Sequence, residues 1–221
     1  MAPRTGILGG SFDPIHLGHL RSAEEVREAF ALDRVAFVPA NRPPHKPDRR
    51  LADGRQRLAM VELAVADNPP FLTSSLEIDR GGVSYSIETL EAFTATESDA
   101  QLFFIVGVDA FGEMQTWKDA ARVFELANVV VTNRPPHAAP TSIEHLPVAA
   151  REAFCYDPPT LSYRHRSGTR LSFLPITGLD ISATAVRERV RRGQSIRYLV
   201  PTDVERYIRK HGLYRSGESI G

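Results

Sequence analysis

Short apolar runs alternate with stretches of helical spacing along this chain, and that alternation restricts its fold more than any other feature. The runs fall at residues 5–8, 35–39 (VAFVP), 102–106 (LFFIV), 128–132 (NVVVT) and 171–174. Between them lie helical stretches at residues 17–30, 53–67 and 84–96. Leu20, Ala23, Val26 and Phe30 set the apolar spacing in the first, and Leu58, Val61 and Val65 in the second. Asp53 is placed to cap the second helix, because its short carboxylate can accept from the unpaired N–H groups of a first turn. Residues 71–78 read as extended. Strands separated by helix-length crossovers run parallel and need helices on their faces. The expectation is an α/β fold: a doubly wound parallel sheet with C-terminal helices. The last helix is expected to begin at a capping box, Thr202-x-x-Glu205, after Pro201, and to stop at Gly212.

One segment breaks the pattern. Residues 134–170 hold six prolines, at 135, 136, 140, 147, 158 and 159, within irregular polar sequence. This stretch is expected to be a long excursion from a single domain spanning 1–221, since 221 residues suit one core. The 27 basic and 27 acidic residues cancel, which argues against a nucleic-acid partner but leaves room for a local anion site. The lone Cys155 excludes an intrachain disulfide and a cysteine metal cluster, and fits a reducing, cytoplasmic setting. No apolar run approaches the roughly 20 residues needed to span a membrane.

The most informative residues are Gly9-Gly10-Ser11-Phe12-Asp13-Pro14-Ile15-His16-Leu17-Gly18-His19-Leu20, directly after the first strand and running into a helix. Glycines let backbone approach phosphate closely, and a helix start offers free N–H groups to an anion. The segment matches neither the dinucleotide fingerprint nor the Walker A loop. His16 and His19, three apart, share one helix face. Two imidazoles there can donate to phosphate oxygens and stabilise charge developing on them. A zinc site would need further ligands, and no nearby Glu or Cys supplies them, so no protein-bound metal is expected.

This segment resembles the nucleotide-binding signature of the HxGH nucleotidylyltransferase superfamily, and within it the bacterial nicotinate-nucleotide adenylyltransferases. The resemblance covers nearly the whole chain and implies a Rossmann-like sheet. It implies ATP binding by Gly9, Gly10, Ser11, Phe12, His16, Gly18 and His19. Further along, Ile181-Ser182-Ala183-Thr184-Ala185-Val186-Arg187 is similar to the family's ISSTxIR, with Ala183 in place of the second Ser. That pattern implies a clamp in which Ile181, Ser182, Thr184 and Arg187 hold the ATP phosphates, with Ser182 as helix N-cap. Gly107-Val108-Asp109 is similar to the family's GxD beside the ATP ribose, which adds Gly107 and Asp109. His16, His19 and Arg187 are the implied catalytic residues.

The acceptor side follows from the same resemblance. His45 and Lys46, in Pro43-Pro44-His45-Lys46, would approach the phosphate of a mononucleotide. Ser84-Tyr85-Ser86-Ile87-Glu88-Thr89-Leu90 is similar to SYTxDTL, where a helix start receives the nicotinate carboxylate; this implies Tyr85 and Ser86 as substrate-binding residues. Trp117, the only tryptophan, matches a residue that stacks on the pyridine ring. Arg134, in a position where the family reads RPG, would pair with the mononucleotide phosphate. The implied reaction joins ATP and nicotinate mononucleotide, with Mg²⁺ carried on ATP, and a homo-oligomer is left open. Residues 195–201 and the segment ending at Tyr214 read as structural. Two alternatives stand beside this reading: a sister enzyme with nicotinamide mononucleotide or phosphopantetheine as acceptor, and a nucleotide sensor without catalysis. Trp117 with the SYS helix start argues against phosphopantetheine, and His16, His19 and Arg187 together argue against the sensor.

Overall fold

The structure is a computed structural model that describes residues 2–44, 51–133, 142–144, 146 and 148–215. Among these residues one sheet contains β1 (Arg4–Gly10), β2 (Arg34–Pro39), β3 (Phe71–Thr73), β4 (Gln101–Gly107), β5 (Asn128–Thr132), β6 (Phe154–Asp157), β7 (Ser162–His165) and β8 (Arg170–Leu174). The strand order is β3-β2-β1-β4-β5-β8-β7-β6. From β3 to β8 every pairing is parallel, and β7 and β6 extend the sheet antiparallel. The helices are α1 (Leu17–Ala29), α2 (Gly54–Val65), α3 (Leu76–Arg80), α4 (Ser86–Thr96), α5 (Val108–Gly112), α6 (Ala120–Leu126), α7 (Val148–Arg151), α8 (Ala183–Arg191) and α9 (Thr202–Lys210).

Strand side chains alternate between two buried layers, as the period of two requires. Leu8, Phe37, Phe103, Ile105 and Val130 pack with Val26 of α1, Val61 of α2, Val186 of α8 and Val204 of α9. Ile7, Val38, Phe104, Val106 and Val131 face the other way and pack with Leu90 of α4 and Phe124 of α6. The doubly wound parallel sheet is therefore as expected. Strand order reverses between β1 and β4, and a crevice opens at the carboxyl ends of strands flanking such a switch point.

Four local expectations change. β1 continues through Gly9 and Gly10, which pair with Val38 and Pro39, so the glycines belong to the strand rather than follow it. Residues 71–78 are not one extended run: β3 ends at Thr73 and α3 follows. The latter part of the 134–170 excursion is ordered as the β6–β7 hairpin, with Pro158 and Pro159 in the 3₁₀ turn between its strands. Pro201, not Thr202, is the N-cap of α9 and no side-chain cap bond is made, so the Thr202–Glu205 box is absent. Other signals hold. Asp53 caps α2 by accepting from the Arg55 N–H at 2.8 Å, and Gly212 takes a φ of 65° just past α9.

Candidate active site

The carboxyl end of β1 leads through residues 11–15 into α1, whose N-cap is His16. The His16 backbone N–H donates to His19 Nδ1 at 3.2 Å. A backbone N–H can only donate, so His19 Nδ1 is unprotonated and the neutral ring carries its proton on Nε2, as a donor. The His16 and His19 rings stack with centroids 3.6 Å apart and planes at 26°. Phe12 meets His19 edge-on at 5.1 Å. Gly18 suits the His16 ring: a Cβ there would stand 3.0 Å from His16 Nδ1 and 3.1 Å from its Cε1, so the ring would have to give by a few tenths of an ångström. The glycine keeps clear the space that the His16 ring occupies.

The second phosphate motif folds against the first. Ser182 caps α8, its hydroxyl accepting from the Ala185 N–H at 3.1 Å. The Arg187 guanidinium donates to the Asp13 carbonyl at 2.5 Å and to Thr184 Oγ1 at 3.1 Å. It also lies 3.5 Å from the Asp13 carboxylate, with only 11% of its side chain exposed. Residues 174 apart in sequence are thus in direct contact. Gly107 and Asp109 sit at the carboxyl end of β4 and the start of α5, both exposed. A Cβ at Gly9 or Gly107 would meet nothing within 4 Å, so neither glycine is required by packing.

On the acceptor side, Tyr85, Ser86 and Trp117 line one cavity of about 120 Å³ with Pro44, Ser84, Thr116 and Lys118. Tyr85 is the N-cap of α4, so the free N–H groups of that helix start here. Trp117 is held edge-on to Phe104 of β4 at 6.1 Å. The Lys118 ammonium pairs with Glu88 at 2.7 Å and lies 4.7 Å from the Tyr85 ring centroid. Glu88 holds the Lys118 pKa above its usual value through that hydrogen bond. His45, Lys46 and Arg134 lie outside the described residues.

Three polar side chains without a role in the sequence reading organise these parts. Asp13, 1% exposed, accepts on Oδ1 from the Tyr214 hydroxyl at 2.7 Å and from the Ala52 N–H at 3.2 Å. Burial, then Asp13, push the Tyr214 pKa well above the ordinary tyrosine range, so its hydroxyl remains a donor. Arg57, also 1% exposed, donates to the carbonyls of Ser11 (2.8 Å), Ala40 (2.6 Å), Asn41 (3.2 Å) and Ala52 (2.9 Å). It ties the loop after β1 to the loop after β2 and to the start of α2. Arg57 carried no sequence signal, since RQR at a helix start reads as a solvated face. Asp13 was visible within GGSFDP, but its partners 39 and 201 residues away were not.

Residues 7–189 match the cytidylyltransferase-like family, which places the chain among the nucleotidyltransferases of that family. It is 48% identical over 215 residues to a probable nicotinate-nucleotide adenylyltransferase of Syntrophotalea carbinolica, covering 97% of this chain and 99% of the relative. To the protein of the same name from Citrifermentans bemidjiense it is 49% identical over 211 residues, with 96% and 98% covered. The chain belongs to the nicotinate-nucleotide adenylyltransferase family. In fold it is similar to the Plasmodium falciparum nicotinic acid mononucleotide adenylyltransferase complexed with NaAD, at a TM-score of 0.73, 16% identity, and 96% and 97% of the two chains.

Proposed function

We propose that this chain transfers the adenylyl group of ATP to nicotinate mononucleotide, giving nicotinate adenine dinucleotide and pyrophosphate, a step of NAD biosynthesis. Relatives of that name cover nearly the whole chain. The observation that carries the reading is the Arg187–Asp13 contact, which brings the α8 motif against the HxGH loop at the sheet's switch point. The continuous sheet supports treating 1–221 as one catalytic domain.

The acceptor's phosphate oxygen attacks the α-phosphorus of ATP, forming the new P–O bond as the bond to the β-phosphate's bridging oxygen breaks. That nucleophile is an anion at neutral pH, so no general base is needed. Catalysis rests on positioning and on stabilising charge. His16 and His19 take the ATP phosphates, with His19 Nε2–H as a donor. Arg187, Thr184 and the N–H groups at the α8 start hold the leaving pyrophosphate. Gly9, Gly10, Ser11, Phe12, Gly18 and Ile181 shape the nucleotide cleft, and Gly107 and Asp109 stand toward the ribose. Trp117 stacks on the pyridine ring, while Tyr85, Ser86 and the α4 N–H groups receive its carboxylate. His45, Lys46 and Arg134 are assigned to the mononucleotide phosphate.

Mg²⁺ fits this site as an ion carried on ATP. Among the described residues no three of His, Cys, Asp or Glu gather as metal ligands, and the clamp offers hydrogen-bond donors that suit phosphate rather than a cation. The ion would neutralise charge on the phosphates. No described helix is long and apolar enough to cross a membrane, and a cytoplasmic location suits these substrates. Pyrophosphate release with ATP and a panel of acceptors tests the reading. Nicotinate mononucleotide should give a higher kcat/KM than nicotinamide mononucleotide and phosphopantetheine. Equal values for the two mononucleotides would refute the acceptor assignment, and no release with any acceptor would refute the activity.

A further inference from the structure

Glu77 of α3 is a carboxylate only 5% exposed, and it has no place in the site described so far. It does not line the acceptor cavity. Its Oε1 accepts from the Thr89 hydroxyl of α4 at 2.5 Å, and Ser84 is among the neighbours that pull its pKa down. Ser84 Oγ in turn accepts from the Asn41 N–H at 2.9 Å. The Ser84 N–H donates to the Arg42 carbonyl at 2.9 Å, and the Asn41 side-chain amide donates to the Gly82 carbonyl at 2.8 Å. Arg42 and Val83 form an isolated parallel bridge. These bonds fasten residues 41–44 to residues 82–86, which place Pro44 and the α4 start around the cavity.

Burial penalises this carboxylate and pushes its pKa up, while Thr89, Ser84 and Arg80 pull it down and Glu88 pushes it up. A buried charge is tolerated when hydrogen bonds satisfy its oxygens, and here the hydroxyl donor belongs to the acceptor side: Thr89 lies in the first turn of the helix that starts at the cavity. We propose that Glu77 is a positioning residue for the acceptor ring: its carboxylate holds α4 through Thr89, which sets where the α4 start lies against residues 41–44 and so the width of the ring pocket. The proposal rests on the acceptor reading above.

The test is Glu77→Ala against Glu77→Gln, with folding checked by circular dichroism. Deleting the acceptor of the buried Thr89 hydroxyl should raise the KM for nicotinate mononucleotide about tenfold or more. The KM for ATP and kcat should stay within about threefold, the split expected when only acceptor binding is lost. Glu77→Gln keeps an acceptor oxygen for Thr89 and should restore the parent acceptor KM to within about threefold. Trp117 is the only tryptophan and lines the cavity, so its fluorescence on titrating nicotinate mononucleotide reads Kd without turnover and should show the same loss. An unchanged acceptor KM and Kd in Glu77→Ala overturns the proposal, as does an equal rise in both substrates' KM. If Glu77→Ala does not fold, Thr89→Val decides: weaker acceptor binding sustains the proposal, and unchanged binding overturns it. A parent protein that binds nicotinate mononucleotide but releases no pyrophosphate refutes the activity, and the titration still decides the role of Glu77.

Discussion

Replacing Arg57 with Met would remove one guanidinium and abandon four carbonyls. The methionine stem fills much of the space of the arginine stem, so the loss is chiefly polar. Each charge-assisted hydrogen bond is worth about 1.5–3 kcal/mol, though four converging on one group do not add. Asp13 and Glu77, which oppose the downward pull of burial on the Arg57 pKa, would lose a compensating cation. Removing one member of a buried charged set costs about 3–5 kcal/mol, so about 4 kcal/mol is expected. Total stability is about 5–15 kcal/mol, and for this length the melting temperature should fall by about 8–16 °C. Arg57→Lys should cost roughly half as much, since an ammonium has about three donors and no planar fork. Urea unfolding followed by far-ultraviolet circular dichroism measures both. A loss below about 1.5 kcal/mol for the Met variant would mean that water or loop movement satisfies the carbonyls, and the reading of Arg57 as the tie between the two loops would be wrong.

Three further outcomes are expected. His19→Ala should lower kcat by about 100-fold or more through loss of a phosphate donor, and stability by about 1 kcal/mol because Nδ1 serves the His16 N–H; near-normal turnover in a steady-state assay would remove His19 from catalysis. Trp117→Ala should raise the acceptor KM well above any change in that for ATP, and an unchanged acceptor KM would return Trp117 to a packing role. Tyr214→Phe removes one hydrogen bond to a buried carboxylate and should cost about 2 kcal/mol in a urea melt; a change below about 0.5 kcal/mol would show that Asp13 does not depend on that hydroxyl.

The parallel sheet could be read directly because its strands are uninterrupted apolar runs that only a doubly covered sheet can bury. The phosphate motifs could be read because His16, Gly18 and His19 act within one turn of chain. The missed parts have physical reasons. Leu72, Leu76 and Ile78 fall at even spacing, which imitates a strand, and α3 is too short for a helical period to appear. In residues 134–170 the prolines suggested irregular chain, yet Pro158 and Pro159 occupy the turn that lets β6 and β7 pair. Thr202 and Glu205 have the spacing of a capping box but lie one residue too far into the helix. Arg57 and Glu77 are the deeper omissions, and Tyr214 reads as structural without its partner Asp13. A polar residue paired only through the tertiary fold looks, in sequence, like a polar residue facing water.

The Asp13–Tyr214 hydrogen bond joins residues 201 positions apart. A ribosome adding about 5–20 residues per second needs roughly 10–40 s to travel that distance. For that interval the nascent chain already displays its glycine strand and both histidines, and Arg187 has still to emerge for most of it. The Asp13 carboxylate waits without its phenolic donor until the last turn beyond α9 is made. Completion of the catalytic loop therefore trails the synthesis of its signature residues, and a chain released before Tyr214 is added carries those residues without the anchored loop that orients them.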